Sequence, residues 1–487
     1  MTDSQPDFAT LAIEQMQDPQ ACLRIALQDP CGDPRRALEA MIAAIDRKLS
    51  TQLNQILHHT DFQQLEGAWR GLYYLVNSIE INNSIKIKEL NISKKELHKV
   101  LKIFKGPTRE RRPLFLKIFH ESYSVNSGEP FSCLIGDYYF DHNPKDVEML
   151  AELSKICAIS HTLFFGGVAA SLVNVNYESW QDFVKQYSSN ESLYEKLGNL
   201  FSGPQYNAWD HLREAEETRY LNLVMPRCLA RLPYGVEKKP NREYTFREKI
   251  EKSIINHKQY VWINAAYTMG AIIVDSFANY GWFVRITDLG DPEVHNRFID
   301  KLPAHIFPIL TPFADEGIDT LCPTEVGISP EISVSFNTRG LITLETPPYR
   351  SYDCIFNPRS LHKPLSFDDW DKTADNVLSS LSKFRLVTCR FAQYLYCIAR
   401  DHVGSYRNLS DMQNHLQTWL QQYVCDDPAN ATDKELARQP LAEAKIVIEE
   451  VEHTSTYYVA KFFVRPIYQL GGLTSSMCLL LRLPAAK

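Results

Sequence analysis

At 487 residues, with 44 % hydrophobic and 23 % charged positions, the chain is too long for one ordinary core and predicts two or three soluble globular domains. The 52 Lys and Arg stand against 59 Asp and Glu, a formal charge of −7 that argues against a dedicated nucleic-acid binder, which needs a basic face. Eleven scattered cysteines, without a C-x-x-C pair, fit neither a disulfide framework nor a zinc site; no apolar run approaches the about 18 residues of a membrane span, and no signal peptide opens the chain. The expectation is a protein folded in the cytoplasm, with reduced cysteines and without direct membrane insertion.

The first 34 residues are broken by Pro6, Pro19, Pro30 and Pro34 and read as an arm, with short helical turns around Phe8 to Met16 and Ala21 to Leu27. Asp33-Pro34 then reads as a helix start, and Leu38, Met41, Ile42, Ile45, Leu49, Leu53, Ile56 and Leu57 predict an amphipathic helix up to His58-His59. Adjacent helical residues point about 100° apart, so this histidine pair reads as a helix end and not as a chelate. The stretch from Thr60 to Ile79 carries Phe62, Leu65, Trp69, Leu72, Leu75, Val76 and Ile79 on one helical face, expected to be core, with Thr60 and Gln63 as a capping box. Gly67 and Gly71 lie one turn apart in it, each costing about 1 kcal/mol relative to alanine. That cost implies another element close to the backbone, with Gly67, Trp69 and Gly71 as packing anchors.

Ser84 to Ser93 reads as a bulged strand and GEPFSCLIGDYYF as a turn and strand, with Asp137 and Asp141 as turn formers. Asp146 to Ile159 reads as a helix and Leu163 to Val175 as a buried strand. Ala265 to Tyr280 is helix-like, Gly281 to Ile286 strand-like, and Asp288 to Lys363, rich in proline and glycine, irregular. Val377 to Ile398 forms one face of a long helix closed at Gly404. Ser410 with Gln413 is a second capping box ahead of Met412, Leu416, Trp419, Leu420 and Tyr423. Three strands follow, Ala444 to Val451, Tyr457 to Arg465 and Thr474 to Leu483; a chain ending in apolar strands has an edge to hide, which invites pairing with another chain.

The common phosphate, dinucleotide, nucleophile-elbow and zincin signatures are absent from the sequence, and His257, His295, His305 and His362 have no metal-ligand spacing. The expectation is a non-enzyme without metal or cofactor. Its rival, an enzyme with an unrecognised site among His257, His305 and Asp137, rests on no motif.

IDRKLSTQLNQILHHTDFQQLEGAWRGLYYLV resembles the signature region of the large subunit of the type VI secretion contractile sheath, the TssC/VipB family. The resemblance continues in order through GEPFSCLIGDYYF, EETRYLNLVMPRCLARLPYG, WINAAY, YGW, CPTE, RFAQYLYCIARDHVGS and RPIYQL, covering Leu38 to Pro484. It implies a multi-domain α/β (mixed α+β) fold: an arm over 1–34, the sheath's middle and outer region over 35–370, and a C-terminal phage-tail-sheath-like domain over 371–487. The implied partners are a small sheath subunit of the TssB/VipA type, neighbouring protomers, inner tube hexamers of the Hcp type, a baseplate and an AAA+ unfoldase of the ClpV type. Contraction would drive tube and spike outward. Strand exchange between protomers suits Ile446, Val447, Ile448, Tyr457, Val459 and Phe462, and a short unfoldase-docking face Phe8, Leu11 and Met16. A sheath subunit of a related contractile injection system is the alternative. Gly471-Gly472 departs from the commonly acidic residues after the R-P-x-x-Q-L block.

Overall fold

The structure, a computed structural model, describes residues 20, 34–78, 85–103, 113–125, 128–173, 201, 203–235, 244–250, 259–283, 286–287, 323–345, 355, 357–402, 409–428, 430–450, 457–467 and 477–484. The expected turns at Phe8 to Met16 and Ala21 to Leu27 lie outside the described residues, as do Gly404 and Gly471-Gly472. Contacts group the chain into two compact units: one holds the residues up to Gly67 together with Arg231–Trp262, the other Ala68–Ala230 together with Ile263 onward.

The first unit is built on helix α1, Pro34–Leu57, and on the start of helix α2, Thr60–Asn77. The elements form where their periodicity puts them, but the cap and the buried face differ from expectation. His59, not Thr60, occupies the capping position, its Nδ1 accepting from the Asp61 N–H at 3.3 Å. Among the described side chains of α1, Met41, Ala44 and Asn54 are buried, while Leu38, Ile42, Leu49 and Ile56 are exposed. On α2 the buried positions are Gly67, Gly71 and Leu75, a row at helical spacing that Ser78 continues just past the helix end, whereas Phe62, Leu65, Trp69, Tyr73 and Val76 face solvent. Two glycines in this row allow a close approach of other groups, while the large apolar residues on the opposite side are exposed.

The second unit centres on a four-stranded parallel sheet. Its strands are β1 (Cys133–Phe140), β2 (Leu163–Val168), β3 (Leu221–Met225) and β4 (Leu341–Thr343), in the order β1-β2-β3-β4. β2, β3 and β4 are wholly buried, as expected for parallel strands covered on both faces. Helix α3, Pro144–Ile159, lies between β1 and β2 in the chain, capped by Asn143, whose side chain accepts from the Lys145 N–H. Helix α4, Ala265–Tyr280, packs across β1, β2 and β3 and ends at Gly281 in the left-handed conformation (φ 78°). The expected strand over 84–93 is absent from 85–93, which form no ladder, and the strand expected to reach Val175 stops at Val168 before a short turn of helix, Ala170–Val173. Residues 281–283 bend without forming a strand. Within the stretch expected to be irregular lie helix α5, Pro330–Thr338, N-capped by Ser329, and β4 itself.

The single long helix expected over 377–398 is two, Trp370–Ser379 and α6, Ser382–Asp401. α6 shares the core of the parallel sheet. Ser382 Oγ donates to Asn222 Oδ1 on β3 at 2.5 Å, Gln393 Nε2 donates to the Phe131 and His161 carbonyls (2.7 and 2.9 Å), and Arg400 Nη1 to those of Ser122 and Gly128 (3.1 and 3.2 Å). Rings of Trp282, Phe391, Tyr394, Trp419 and Tyr423 join α6 to helix α7, Leu409–Gln421, with Trp282 stacked 4.2 Å from Phe391. The chain then runs through an antiparallel sheet of β5 (Leu441–Glu450), β6 (Tyr457–Pro466) and β7 (Met477–Pro484), with β6 central.

Buried thiols behave here as small apolar side chains. Burial pushes the Cys389 thiol up to about 12 and Cys157 further, so neither forms a thiolate near neutral pH. Iodoacetamide at pH 8 is therefore expected to leave Cys157 and Cys389 unmodified in the folded chain and to label both after denaturation, read by peptide mass spectrometry.

Candidate interaction surfaces

In the first unit a buried ionic cluster ties the helices to the segments around Arg231 and Glu248. Arg231 Nε donates to Glu66 Oε1 at 2.7 Å and Nη1 to Glu248 Oε2 at 2.6 Å, and its guanidinium lies 4.1 Å from the Tyr234 ring centre. Glu248, whose side chain is 1 % exposed, also accepts from the Tyr234 N–H (2.9 Å) and lies 3.3 Å from His58 Nε2. His58 thus closes α1 by meeting a carboxylate, and His59 caps α2: each residue of the pair has its own work. Asn54 Oδ1 accepts from the Lys249 N–H at 2.8 Å, and Ser50 Oγ lies 2.8 Å from Tyr244 Oη. Beside this cluster, Gln52, Gln55, Ile56, His59, Asp61, Phe62 and Leu65 line an open groove of about 600 Å³.

The two helical glycines sit at close approaches. A Cβ on Gly67 would stand 2.4 Å from the Trp262 carbonyl oxygen, and one on Gly71 2.4 Å from the Tyr267 ring. Gly270 of α4 repeats the device, meeting Ile135 of β1 and Leu75 of α2. Trp69, expected to anchor the helix alongside them, is 62 % exposed.

At the C-terminal sheet, Ile446 and Ile448 of β5 and Phe462 of β6 are buried, while Val447 and Val459 are half-buried. β6 is paired on both sides along its length, so Tyr457, Val459 and Phe462 lie on a central strand. Among the described strands, β5 and β7 are the edges of this sheet. The β5 edge is occupied by side chains: Gln417 Oε1 accepts from the Ile446 N–H (2.8 Å), Gln417 Nε2 donates to the Ala444 carbonyl (2.9 Å), and Gln413 Oε1 accepts from the Ile448 N–H (3.1 Å). Gln413 therefore turns to the sheet, where a capping box with Ser410 was expected. The row Gln413, Gln417, Gln421 at four-residue spacing was the legible trace of these glutamines in the sequence.

Among the described residues no group of His, Cys, Asp and Glu is placed to hold a metal ion. Asp137 is held above the usual carboxylate range by burial, opposed by hydrogen bonds with Asn264 and Tyr267, and works as an internal polar tie. His362 is a buried histidine whose Nδ1 lies 3.1 Å from the Ala215 carbonyl. His257 and His305, like the docking face Phe8, Leu11 and Met16, lie outside the described residues. No described helix is long and apolar enough to cross a membrane.

A core with exposed apolar helix faces and a sheet with managed edges defines a subunit made for assembly, and the comparisons place it among contractile-tail sheath proteins. The family described as VipB, EvpB/VC_A0108, tail sheath N-terminal domain, matches residues 39–362, and the VipB_2 tail sheath gpW/gp25-like domain matches 371–483. The chain belongs to this family of type VI secretion sheath proteins. It is 44 % identical over 455 residues to the type VI secretion system sheath protein TssC1 of Pseudomonas aeruginosa, an alignment spanning 93 % of this chain and 87 % of that one.

Proposed function

We propose that this chain is the large subunit of a heterodimeric sheath that polymerises around an inner tube and contracts to propel tube and spike. The observation that carries the reading is the apolar helix surface left open by an otherwise buried core: Leu49, Ile56 and Leu65 in the first unit, Trp69, Tyr73 and Val76 in the second. Isolated exposed apolar residues are ordinary, but rows at helical spacing mark protein partners. The partner is a small subunit of the TssB/VipA type; neighbouring protomers, Hcp-type tube hexamers and a baseplate complete the assembly, and a ClpV-type unfoldase recycles it in the cytoplasm.

In this reading residues 1–34 are an arm, 35–370 the middle and outer region, and 371–487 the sheath domain, whose sheet takes part in strand exchange around Ile446 to Ile448. The chain acts as a structural part and not as an enzyme. Heterologous contacts that do not close give a helical tubule. Contraction then draws on a difference in interface energy between two lattice arrangements and needs no nucleotide site in this chain.

Co-expression with the small subunit is expected to give hollow tubules by negative-stain electron microscopy. Leu65→Ser with Trp69→Ser is expected to leave the helical circular dichroism unchanged and to reduce tubule yield at least about tenfold, since burying two such side chains is worth about 3–6 kcal/mol. A soluble monomer indifferent to the small subunit sinks the proposal.

A further inference from the structure

The β5 edge is closed by a geometric match between a helix and a strand. In an antiparallel sheet alternate residues direct both N–H and C=O away from the paired strand. In β5 these are Ala444, Ile446 and Ile448, whose outward groups meet the glutamines of α7. Four residues of helix advance about 6 Å and two residues of strand about 6.8 Å, so glutamines at i and i+4 fall in step with every second strand residue. The order is antiparallel: Gln417 serves Ile446 and Gln413 serves Ile448.

Main-chain pairing covers the near end of the same edge, where Cys425 N–H donates to the Leu441 carbonyl (2.8 Å) and Leu441 N–H to that of Tyr423 (3.2 Å). The glutamines take over where that pairing stops. A primary amide suits the task because, like a peptide group, it carries both a donor and an acceptor. Gln417 uses both, and its Nε2 lies also 3.2 Å from Gln421 Oε1, the next residue in the row.

We propose that Gln413 and Gln417 are an edge guard: in the unassembled chain their side-chain amides stand in for a missing neighbour strand and close Leu441–Glu450 to strand addition. Its consequence, resting on the strand-exchange reading above, is that an extended segment of a second sheath subunit pairs at the opposite edge, Met477–Pro484. The glutamines are thus specificity-determining, choosing between two edges of one sheet. Unpaired edges template unwanted association, and covering one with a helix is a common protection.

Hydrogen exchange on the full-length chain before assembly, read at residue resolution by electron-transfer fragmentation, tests the guard. Gln417→Ala is expected to speed exchange at Ile446 about tenfold or more with Ile448 unchanged, and Gln413→Ala the converse. Gln417→Glu keeps an acceptor for Ile446 and is expected to preserve its protection. The double alanine variant is expected to self-associate at concentrations where the wild type does not, measured by light scattering. Unchanged exchange at Ile446 and Ile448 in both single variants overturns the proposal, whatever the assembly does.

In the assembled tubule, protection gained at Met477–Pro484 with Ile446 still dependent on Gln417 supports the choice of edge. Ile446 protection that no longer depends on Gln417 overturns that choice. Tubules with no gain at either edge count against the strand-exchange reading, while the guard is judged on the free chain alone.

Discussion

Replacing Arg231 with methionine is expected to destabilise the first unit by about 3–5 kcal/mol, the cost of breaking a buried ion pair by removing one partner. The guanidinium is 8 % exposed and is the shared partner of two carboxylates, Glu66 at 11 % and Glu248 at 1 %. Without it both carboxylates stay out of water and lose their shared guanidinium, while Glu248 keeps the Tyr234 N–H and His58 Nε2 at 3.3 Å. Methionine keeps most of the volume, so the loss is electrostatic and not a cavity. A triple variant, Arg231→Met with Glu66→Leu and Glu248→Gln, is expected to recover much of the loss, because apolar or neutral replacement of all partners removes the buried charge. Urea unfolding, with hydrogen exchange over Pro34–Leu57, measures both; a single variant within about 0.5 kcal/mol of the wild type would falsify the role given to Arg231.

Gly67→Ala is expected to destabilise by about 1–2 kcal/mol and Gly67→Val by more than about 3 kcal/mol. An exposed helical glycine gains about 1 kcal/mol on becoming alanine, whereas overpacking costs about 1–3 kcal/mol, so the sign depends on whether the neighbour can move. At Gly67 the neighbour is the Trp262 carbonyl oxygen, 2.4 Å from the new Cβ, and a main-chain atom yields only if its segment shifts. At Gly71 it is the Tyr267 ring, whose hydroxyl is hydrogen-bonded with Asp137; Gly71→Ala is expected to cost slightly less because a ring can tilt. Thermal melts of the two alanine variants decide the matter. A rise in Tm for Gly67→Ala would show that the segments part freely there.

The same helix shows how much of the structure is legible in the sequence. Periodicity located α2 to within two residues, and the two glycines in it identified close approaches. It misassigned the buried face, because a row of apolar residues marks the side that avoids water and not whether the cover comes from this chain or another. Leu65, Trp69 and Val76 are exposed, while a Cβ at Gly67 or Gly71 would meet the Trp262 carbonyl or the Tyr267 ring. The absent strand at 85–93 failed for a related reason, since alternation signals a strand only where a neighbour offers a ladder. Helix α5 was hidden by proline and glycine around it, although Ser329 and Pro330 were a legible start.

What the sequence by itself determined was the set of local elements and the family: helix α1 from its proline start, helix α4 to the residue, the order of the last three strands, and the succession of sheath blocks from Leu38 to Pro484. These follow from near-neighbour chemistry and ordered motifs, both written along the chain. Tertiary structure alone decided which partner each polar side chain took. Glu66, Arg231 and Glu248 meet across 165 and 17 positions, and Gln417 reaches Ile446 across 29. Such pairings come from desolvation, which makes each buried polar group seek whichever partner the fold brings within about 3 Å, and sequence separation carries no record of that choice.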